Sequence, residues 1–479
     1  MEEEEHLRTI ENLLLSQQDK NQQVSGSTFF LCSVLTTRLK SFVNAQLVEG
    51  CIQCQDQAFL PYPKDEIKKL YVRKCYEDVF HLLIQHINLN ERSFGISGTP
   101  GIGKSIFFVY ILYRLMDNFG SKTLSLKVRR IVYHHVNEYT CFDLGKQTVV
   151  ELNRLNAKVL VREKDTFYIV DGRTSPLSSS CIVLFISYPL SEYKRFVKQN
   201  MAREWFLPVW TLAELEACQL YCYPNLSIEI LKERYRIYGG VARSEALADV
   251  DAVKGVCNIG ILKNMLDTTH TLLHILVSND GLYQFTHVDI ASKHVGEQLW
   301  IRHSAQMITN LQQMFGSFPN EIARHLFEIY GHMVFSVGGR TLKCKCLESG
   351  AASEITLDAL HGQRISYGKD TIPAAEELAG NYYEATDDDT FPAIDSLSLQ
   401  GMFQFTIAVE NPILGVQILK KLCEIYEEPK LYYVVPPHRF ASFKKQSFKA
   451  KTGTGDVTEI SNLKQYVLEL PFYDHFSYN

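Results

Sequence analysis

The sequence predicts an α/β protein of several domains, built around a parallel sheet that helices cover on both faces. Strand-like runs at 93–97, 130–136, 167–170 and 181–187 alternate with helical stretches, and such alternation is typical of parallel sheets. The chain has 479 residues, which is enough for two or three domains. Hydrophobic residues make up 46% of it and charged residues 22%, an ordinary balance for a globular protein.

We divide the chain into four segments. Residues 1–89 are predicted to be mostly helical, because apolar residues between Leu7 and Leu14 recur at helical spacing. Residues 90–250 hold the parallel sheet and a helical lid. Residues 251–302 are predicted to be a helical connection. Residues 303–479 form a second α/β domain that begins with a long helix.

Composition excludes few classes of function. The net charge of -5, from 49 basic and 54 acidic side chains, neither predicts nor excludes a nucleic-acid partner. No apolar run reaches the roughly 18 residues of a membrane span, so no membrane partner is predicted. The 12 cysteines are scattered, which favours reduced thiols in a cytosol or nucleus.

The strongest signal is a glycine-rich loop between a strand and an apolar helix. Its pattern is G-x-x-x-x-G-K-[ST], and its residues are Gly98, Thr99, Pro100, Gly101, Ile102, Gly103, Lys104 and Ser105. Glycines let consecutive N–H groups turn towards phosphates. Lys104 would reach the β and γ phosphates, and Ser105 would bind Mg²⁺. The loop therefore predicts a site for ATP or GTP with Mg²⁺.

Three further positions fit the same site. Asp171 ends an apolar strand and would hold the magnesium, directly or through water. Because Gly172 follows where many hydrolases have a glutamate, we expect slow hydrolysis or a base from elsewhere. Ser187 ends the next strand and is a candidate contact for the γ phosphate. Arg243, in the lid, is a candidate for a second phosphate contact. Each of these residues could instead have only a structural role.

Five segments together resemble the NTPase module of Crinkler effectors, and retrotransposon hot spot proteins carry a similar module. The segments are GISGTPGIGKS (95–105), FYIVDG (167–172), LFISYP (184–189), LPVWTLAELEACQ (207–219) and YGGVAR (238–243). The resemblance covers about residues 90–245. It implies a P-loop NTPase of the AAA or STAND type, with a helical lid.

The same family pairs its NTPase with a domain similar to restriction endonucleases, and residues 300–479 resemble that domain. The family pattern is an acid on a helix, an Asp that ends one strand, and E/Q-x-K on the next strand. Glu328, Asp395 and Gln404 match the first three positions, whereas Thr406 stands where the lysine is expected. The resemblance implies catalytic roles for these three residues and a Mg²⁺ held by Glu328 and Asp395.

In such a site oxygen ligands hold Mg²⁺ against the scissile phosphate, and a lysine orients water or stabilises charge. Lys420 and Lys421 on the following helix are candidates to replace the missing lysine. We expect Asp395 and Gln404 on neighbouring strands or on one hairpin, with Gly401 in the turn. The alternatives stay open: a solvated helix face for Glu328, and a turn residue for Asp395.

A basic stretch near the C-terminus predicts a DNA contact. Between residues 436 and 455 no acid occurs, and phenylalanines alternate with five cations: Arg439, Lys444, Lys445, Lys449 and Lys451. Cations bind the phosphate backbone and aromatic rings can stack on bases. A solvated loop with ordinary core phenylalanines explains the same pattern equally well.

Two hypotheses follow. In the first, the protein is an NTPase coupled to a Mg²⁺-dependent nuclease that acts on DNA, a genotoxic effector in a host nucleus. In the second, it is a nucleotide-switched effector whose degenerate nuclease fold only binds DNA or a protein. The resemblance implies secretion into a host. Residues 1–90 show no family translocation header, so action in the cytoplasm or nucleus of its own cell stays open, as does oligomerisation.

Overall fold

The chain forms two compact units, Met1–Ser292 and Lys293–Asn479. The computed structural model describes residues 30–116, 128–172, 174–187, 191–242, 273–301, 308, 320–360, 364–385, 391–449 and 459–473. The division after residue 292 falls inside the segment that the sequence suggests as a connection.

An eight-stranded sheet is the centre of the first unit, in the order β1-β8-β7-β6-β9-β10-β5-β11. Its strands are β1 (Phe30–Leu31), β5 (Ser93–Ser97), β6 (Arg130–His135), β7 (Glu138–Asp143), β8 (Thr148–Leu152), β9 (Thr166–Asp171), β10 (Ile182–Ile186) and β11 (Arg203–Phe206). Strands β6, β9, β10, β5 and β11 are parallel. Strands β1, β8 and β7 extend the sheet in antiparallel pairing. The α/β prediction is confirmed.

The central strands β9 and β10 are mainly apolar because both of their faces are covered. Every residue of β9 and β10 is buried, as expected for parallel strands between layers of helices. The carboxyl ends of β5, β9 and β10 lie at one edge of the sheet, where ligands bind in open α/β sheets. This edge carries the loop 98–105, Asp171 and Ser187.

Seven helices with defined bounds lie in the described part of the first unit. They are α1 (Ser33–Phe42), α2 (Lys74–Asn88), α3 (Phe107–Met116), α4 (Arg154–Leu160), α5 (Ser191–Asn200), α6 (Leu212–Cys222) and α7 (Ile228–Tyr238). Helix α3 directly follows the glycine-rich loop, and Phe107 to Leu112 are all buried. A reciprocal capping box between Thr211 and Glu214 fixes the start of α6.

The prediction of a mostly helical N-terminal region is wrong for part of the described residues. Strands β2 (Gln46–Val48), β3 (Cys51–Gln53) and β4 (Lys69–Tyr71) form a small antiparallel sheet there. The spacing of Ile67, Leu70 and Tyr71 fits a helix, but Leu70 pairs with Ile52 and is buried in strand geometry. The pattern between Leu7 and Leu14 lies outside the described residues.

The predicted helical connection is wrong for residues 273–290, whereas residues 293–301 are helical. Strands β12 (Leu273–Val277) and β13 (Phe285–Ile290) form an antiparallel hairpin, with Leu273 opposite Ile290. Cross-strand pairing satisfies the backbone of this short apolar run, which periodicity alone cannot distinguish from a buried helix segment.

The second unit is a mixed eight-stranded sheet in the order β15-β14-β21-β20-β19-β18-β17-β16. Its strands are β14 (Thr341–Cys346), β15 (Ala352–Thr356), β16 (Arg364–Tyr367), β17 (Tyr382–Ala385), β18 (Ser396–Ser398), β19 (Gly401–Phe405), β20 (Lys430–Val435) and β21 (Lys464–Glu469). The predicted α/β character of this part of the chain is confirmed.

Helices cover both faces of this sheet. Helix α8 (Asn320–Val337) packs Phe335 against Phe403 and Phe405 of β19. Helix α9 (Val416–Cys423) lies on the other face of the sheet. Its Leu419 and Leu422 pack there in one core with Met402 of β19. A short helix, α10 (Pro437–Phe440), follows β20.

Candidate functional sites

The glycine-rich loop adopts a conformation that requires its glycines. Gly98 and Gly103 have φ angles of 136° and 95°, which L-residues with side chains rarely adopt. A Cβ on Gly98 would lie 2.6 Å from the carbonyl oxygen of Leu207. In the described part of the chain, the amide hydrogens of Gly101, Gly103 and Ser105 have no acceptor. The loop therefore presents free N–H donors.

Lys104 folds back over this loop. Its ammonium donates to the carbonyl oxygens of Gly98 at 2.9 Å and Thr99 at 2.7 Å, and the residue is 8% exposed. The Thr99 hydroxyl accepts a hydrogen bond of 2.8 Å from the amide of Ile275 on β12. Lys104 therefore stabilises the loop through the loop's own carbonyl groups. Strand β12 stabilises it through the Thr99 hydroxyl.

Asp171, at the end of β9, is the acid of this site. Its carboxylate is buried and accepts a hydrogen bond of 2.9 Å from the Ser105 hydroxyl. The Tyr133 hydroxyl also donates to it, and the Lys64 ammonium lies 2.6 Å from its Oδ2 atom. Burial and the negative charge of Asp171 raise the pKa of Tyr133, so this phenol stays a donor. The structure thus brings Ser105 and Asp171 together, as the sequence predicts.

The two other predicted residues of this site have different outcomes. Ser187 follows β10, beside β5, and its amide donates to Ile96. It is 4% exposed, and no hydrogen-bond partner for its hydroxyl occurs among the described residues. Arg243 lies outside the described residues.

The sequence analysis did not predict the residues that support the glycine-rich loop on the side of helix α6. Arg73 is completely buried and pairs with Glu214 at 3.0 Å. It also donates to the carbonyl oxygen of Ile102, to which the Trp210 indole donates at 3.0 Å. The Trp-Thr-Leu-Ala-Glu-Leu segment therefore holds the loop in place. Only its capping box, Thr211 to Glu214, is visible as a local sequence signal.

In the second unit, Asp395 and Gln404 form a buried pair on one hairpin. The Gln404 amide donates to both carboxylate oxygens of Asp395, at 2.9 and 3.0 Å, and the Phe405 amide donates at 2.6 Å. Both residues are under 10% exposed. The predicted hairpin, with Gly401 at its turn, is confirmed. The Gln404 Oε1 atom is buried, and the described residues offer it no partner.

Glu328 belongs to a group of charges around His332. It lies 3.2 Å from Arg324 and 3.9 Å from His332, and its side chain is 13% exposed. His332 also lies 3.6 Å from Glu384 on β17, an acid that sequence reasoning missed because a lone glutamate in a strand carries no motif. Glu328 is therefore not on an open surface. Burial raises the pKa of Tyr382, whose hydroxyl contacts His332, and the negative charges of Asp395 and Glu328 both add to this rise.

Two cations neutralise Glu384. Lys293 forms an ion pair with it, and Arg364 lies 2.7 Å away and also pairs with Glu297. Burial lowers the pKa of Lys293 to about 7, an effect that the positive charge of Arg364 increases. Burial and the same cations hold the pKa of His332 well below its usual range. Among the described residues, no three His, Cys, Asp or Glu side chains are grouped to hold a metal.

Thr406 stands where the lysine is expected, but its side chain carries no positive charge. It is 3% exposed, and its hydroxyl accepts a hydrogen bond of 3.1 Å from the Ala408 amide. It therefore stabilises the turn after β19. Lys420 and Lys421 are exposed on α9.

The basic stretch is only partly available to a partner. Arg439 uses its Nε atom to bind the carbonyl oxygen of Ile407. Lys444, Lys445 and Lys449 are exposed, although Lys445 lies 3.6 Å from Glu348. Lys451 lies outside the described residues.

Comparison with known proteins supports a distant relationship to effectors. The chain is 23% identical over 453 residues to Crinkler effector protein 15 of Phytophthora infestans, which spans 86% of this chain and 68% of that protein. Crinkler effector protein 16 of the same organism matches with the same identity and coverage. The similarity therefore extends over both units and is Crinkler-like.

Other comparisons add little. No protein-family model matches the chain. A chain from the structure of Drosophila ORC bound to DNA aligns with 65% of this chain and 76% of its own length, at 12% identity and a TM-score of 0.25. No helix among the described residues is long and apolar enough to cross a membrane.

Proposed function

We propose that the protein is a Crinkler-like effector whose first unit binds a nucleoside triphosphate with Mg²⁺. The observation that carries the proposal is the hydrogen bond between Ser105 and Asp171. It joins the last residue of the glycine-rich loop, which follows β5, to the acid that ends β9, the second strand away in the same sheet. Oxygen donors of this kind are the ligands that Mg²⁺ prefers.

Each residue then has a defined role. The amides of Gly101, Gly103 and Ser105 bind phosphate oxygens, and Lys104 exchanges its two carbonyl partners for the β and γ phosphates. The Ser105 hydroxyl and Asp171 would hold a Mg²⁺, which would neutralise phosphate charge. The buried Ser187 hydroxyl is suited to the terminal phosphate, because that contact would give it a partner.

Hydrolysis should be slow. Gly172 offers no carboxylate to orient water, and Asp171 is occupied by Ser105, Tyr133 and Lys64. We expect phosphate release below the roughly 10 s⁻¹ typical of enzymes, and none from Lys104→Ala. A fast rate without DNA, or an unchanged rate in the variant, would contradict this assignment of the site.

For the second unit we propose Mg²⁺-dependent cleavage of DNA at the Asp395–Gln404 pair. The observation that favours it is the unpartnered, buried Oε1 atom of Gln404 beside a carboxylate. Thr406 in place of the expected lysine favours the alternative, a degenerate nuclease fold that binds DNA or a protein, in which the exposed lysines from Lys444 to Lys449 would contact phosphates.

A plasmid-nicking assay with Mg²⁺ separates the two. Cleavage by the wild type that disappears in Asp395→Ala, but not in the exposed-acid control Asp370→Ala, supports the nuclease. DNA binding without cleavage by the wild type supports the alternative. In either case Asp395→Ala should leave triphosphate hydrolysis unchanged, because the two sites share no residue. Secretion and action in a host nucleus are part of the proposal through the Crinkler similarity alone.

A further inference from the structure

A lysine far from the glycine-rich loop in sequence lies at the magnesium end of the proposed nucleotide site. The Lys64 ammonium is 2.6 Å from the Asp171 Oδ2 atom, although 107 positions separate the two residues. The Lys64 side chain is 23% exposed and the Asp171 side chain 4% exposed. A cation is thus held against a buried acid at the edge of the sheet where phosphates would bind.

The loop that carries this lysine is well anchored. Residues 54–68, here called the lysine loop, connect β3 to β4. The amide of Leu60 donates to Ile67 at 2.7 Å, and Leu60 and Tyr62 are buried. The Tyr62 hydroxyl interacts with those of Tyr133 and Ser105. The position of Lys64 therefore follows from packing and not from a flexible side chain alone.

Charge decides what Lys64 does when nucleotide binds. Ser105 and Asp171 would hold a Mg²⁺ whose two positive charges would reduce the attraction of Asp171 for an ammonium. Lys64, with its flexible four-carbon side chain, would then find its anionic partner in the terminal phosphate of the nucleotide. The ammonium keeps a charged partner only if it transfers from the carboxylate to that phosphate.

We propose, on the basis of the proposed nucleotide site, that Lys64 is a specificity residue for the terminal phosphate. It pairs with Asp171 in the absence of nucleotide and with the terminal phosphate of a bound triphosphate. A diphosphate lacks that group, so Lys64 stays on Asp171 and adds nothing to its affinity. The lysine loop thereby distinguishes the triphosphate state from the diphosphate state.

Equilibrium binding of a fluorescent triphosphate and diphosphate, with Mg²⁺, tests this assignment. In Lys64→Met, triphosphate affinity should fall by about 10- to 100-fold, the factor expected for one lost hydrogen bond to a charged group. Diphosphate affinity should not change. Lys64→Gln, which keeps a polar side chain, should show the same loss and guards against an effect of misfolding. Lys68→Met is the matched control, because Lys68 is an exposed cation of the same loop.

The outcomes separate this inference from the function on which it rests. If the wild type binds neither nucleotide, the proposed function itself fails. If the wild type binds triphosphate, but the Lys64 variants lose both nucleotides equally, keep full triphosphate affinity or bind it more tightly, only the role of Lys64 is overturned.

Discussion

The two candidate sites differ in how many of their buried polar groups have a partner within the protein. At the loop site, the amide hydrogens of Gly101, Gly103 and Ser105 and the Ser187 hydroxyl have no protein partner in the described residues, and Lys64 pairs with Asp171. In the second unit, Asp395 accepts three hydrogen bonds from its own hairpin. The first arrangement leaves several donors available for an anion, whereas in the second only the Gln404 Oε1 atom of the pair lacks a partner among the described residues.

An acidic residue at the position expected from the sequence is therefore not enough to define a metal site. Glu384 is neutralised by Lys293 and Arg364, and Glu328 lies beside Arg324. Each internal cation reduces the electrostatic gain that a magnesium ion would bring. The groups around an acid, more than the acid itself, decide whether a metal binds.

Loss of the ion pair that supports the glycine-rich loop should reduce the stability of the first unit most. Glu214→Ala would leave the buried Arg73 without its carboxylate partner. Since an uncompensated buried charge is costly, we expect the free energy of unfolding to fall by about 2 to 4 kcal/mol. The loss of stability should be confined to the first unit. Triphosphate affinity should fall as well, because Arg73 would no longer hold the Ile102 carbonyl group in place.

Urea unfolding measures this change. Glu216→Ala is the matched control, since Glu216 lies on the same helix and forms an exposed pair with Lys232 at 3.2 Å. Such surface pairs contribute only about 0 to 1 kcal/mol. Equal losses in the two variants would show that the Arg73–Glu214 pair does not support the loop.

A smaller effect concerns a buried histidine beside the loop site. His134 contacts the Tyr168 hydroxyl and the Val136 carbonyl oxygen, and burial lowers its pKa to about 4 from an ordinary 6.5. The folded state therefore favours the neutral ring. This contribution is complete above pH 6.5 and is lost as the pH falls towards 4.

We expect about 1 to 2 kcal/mol of stability to be lost through His134 between pH 7 and pH 5. His134→Gln should show a shallower loss over the same interval in urea unfolding of the first unit. An identical pH profile for the variant and the wild type would mean that His134 is not held neutral.

The sequence predicts the loop site well because its main signal is continuous. Eight neighbouring residues specify the loop, and Asp171 follows from one apolar strand, so no long-range information is needed. The supporting residues could not be predicted, since Arg73, Trp210 and Lys64 reach the loop only through tertiary contacts. The small sheet of β2, β3 and β4 was missed for a similar reason, because its short strands are stabilised by pairing and not by periodicity.

In the second unit the sequence predicts the Asp395–Gln404 hairpin, since only a short turn separates the two residues. It does not predict where Glu328 lies, because the direction of a helix face depends on packing. Glu384, Lys293 and Arg364 come together from three separate segments. A magnesium site that depends on such contacts cannot be established from spacing alone.

Calorimetric titration of the full chain with a nucleoside triphosphate and Mg²⁺ would show whether the glycine-rich loop binds a nucleotide. We predict saturable binding at one site in the wild type and none in Lys104→Ala, because the variant loses a charged contact to phosphate in a buried site. Lys158→Ala, which removes an exposed cation from α4, should bind as the wild type does. Unchanged affinity in Lys104→Ala would contradict the account.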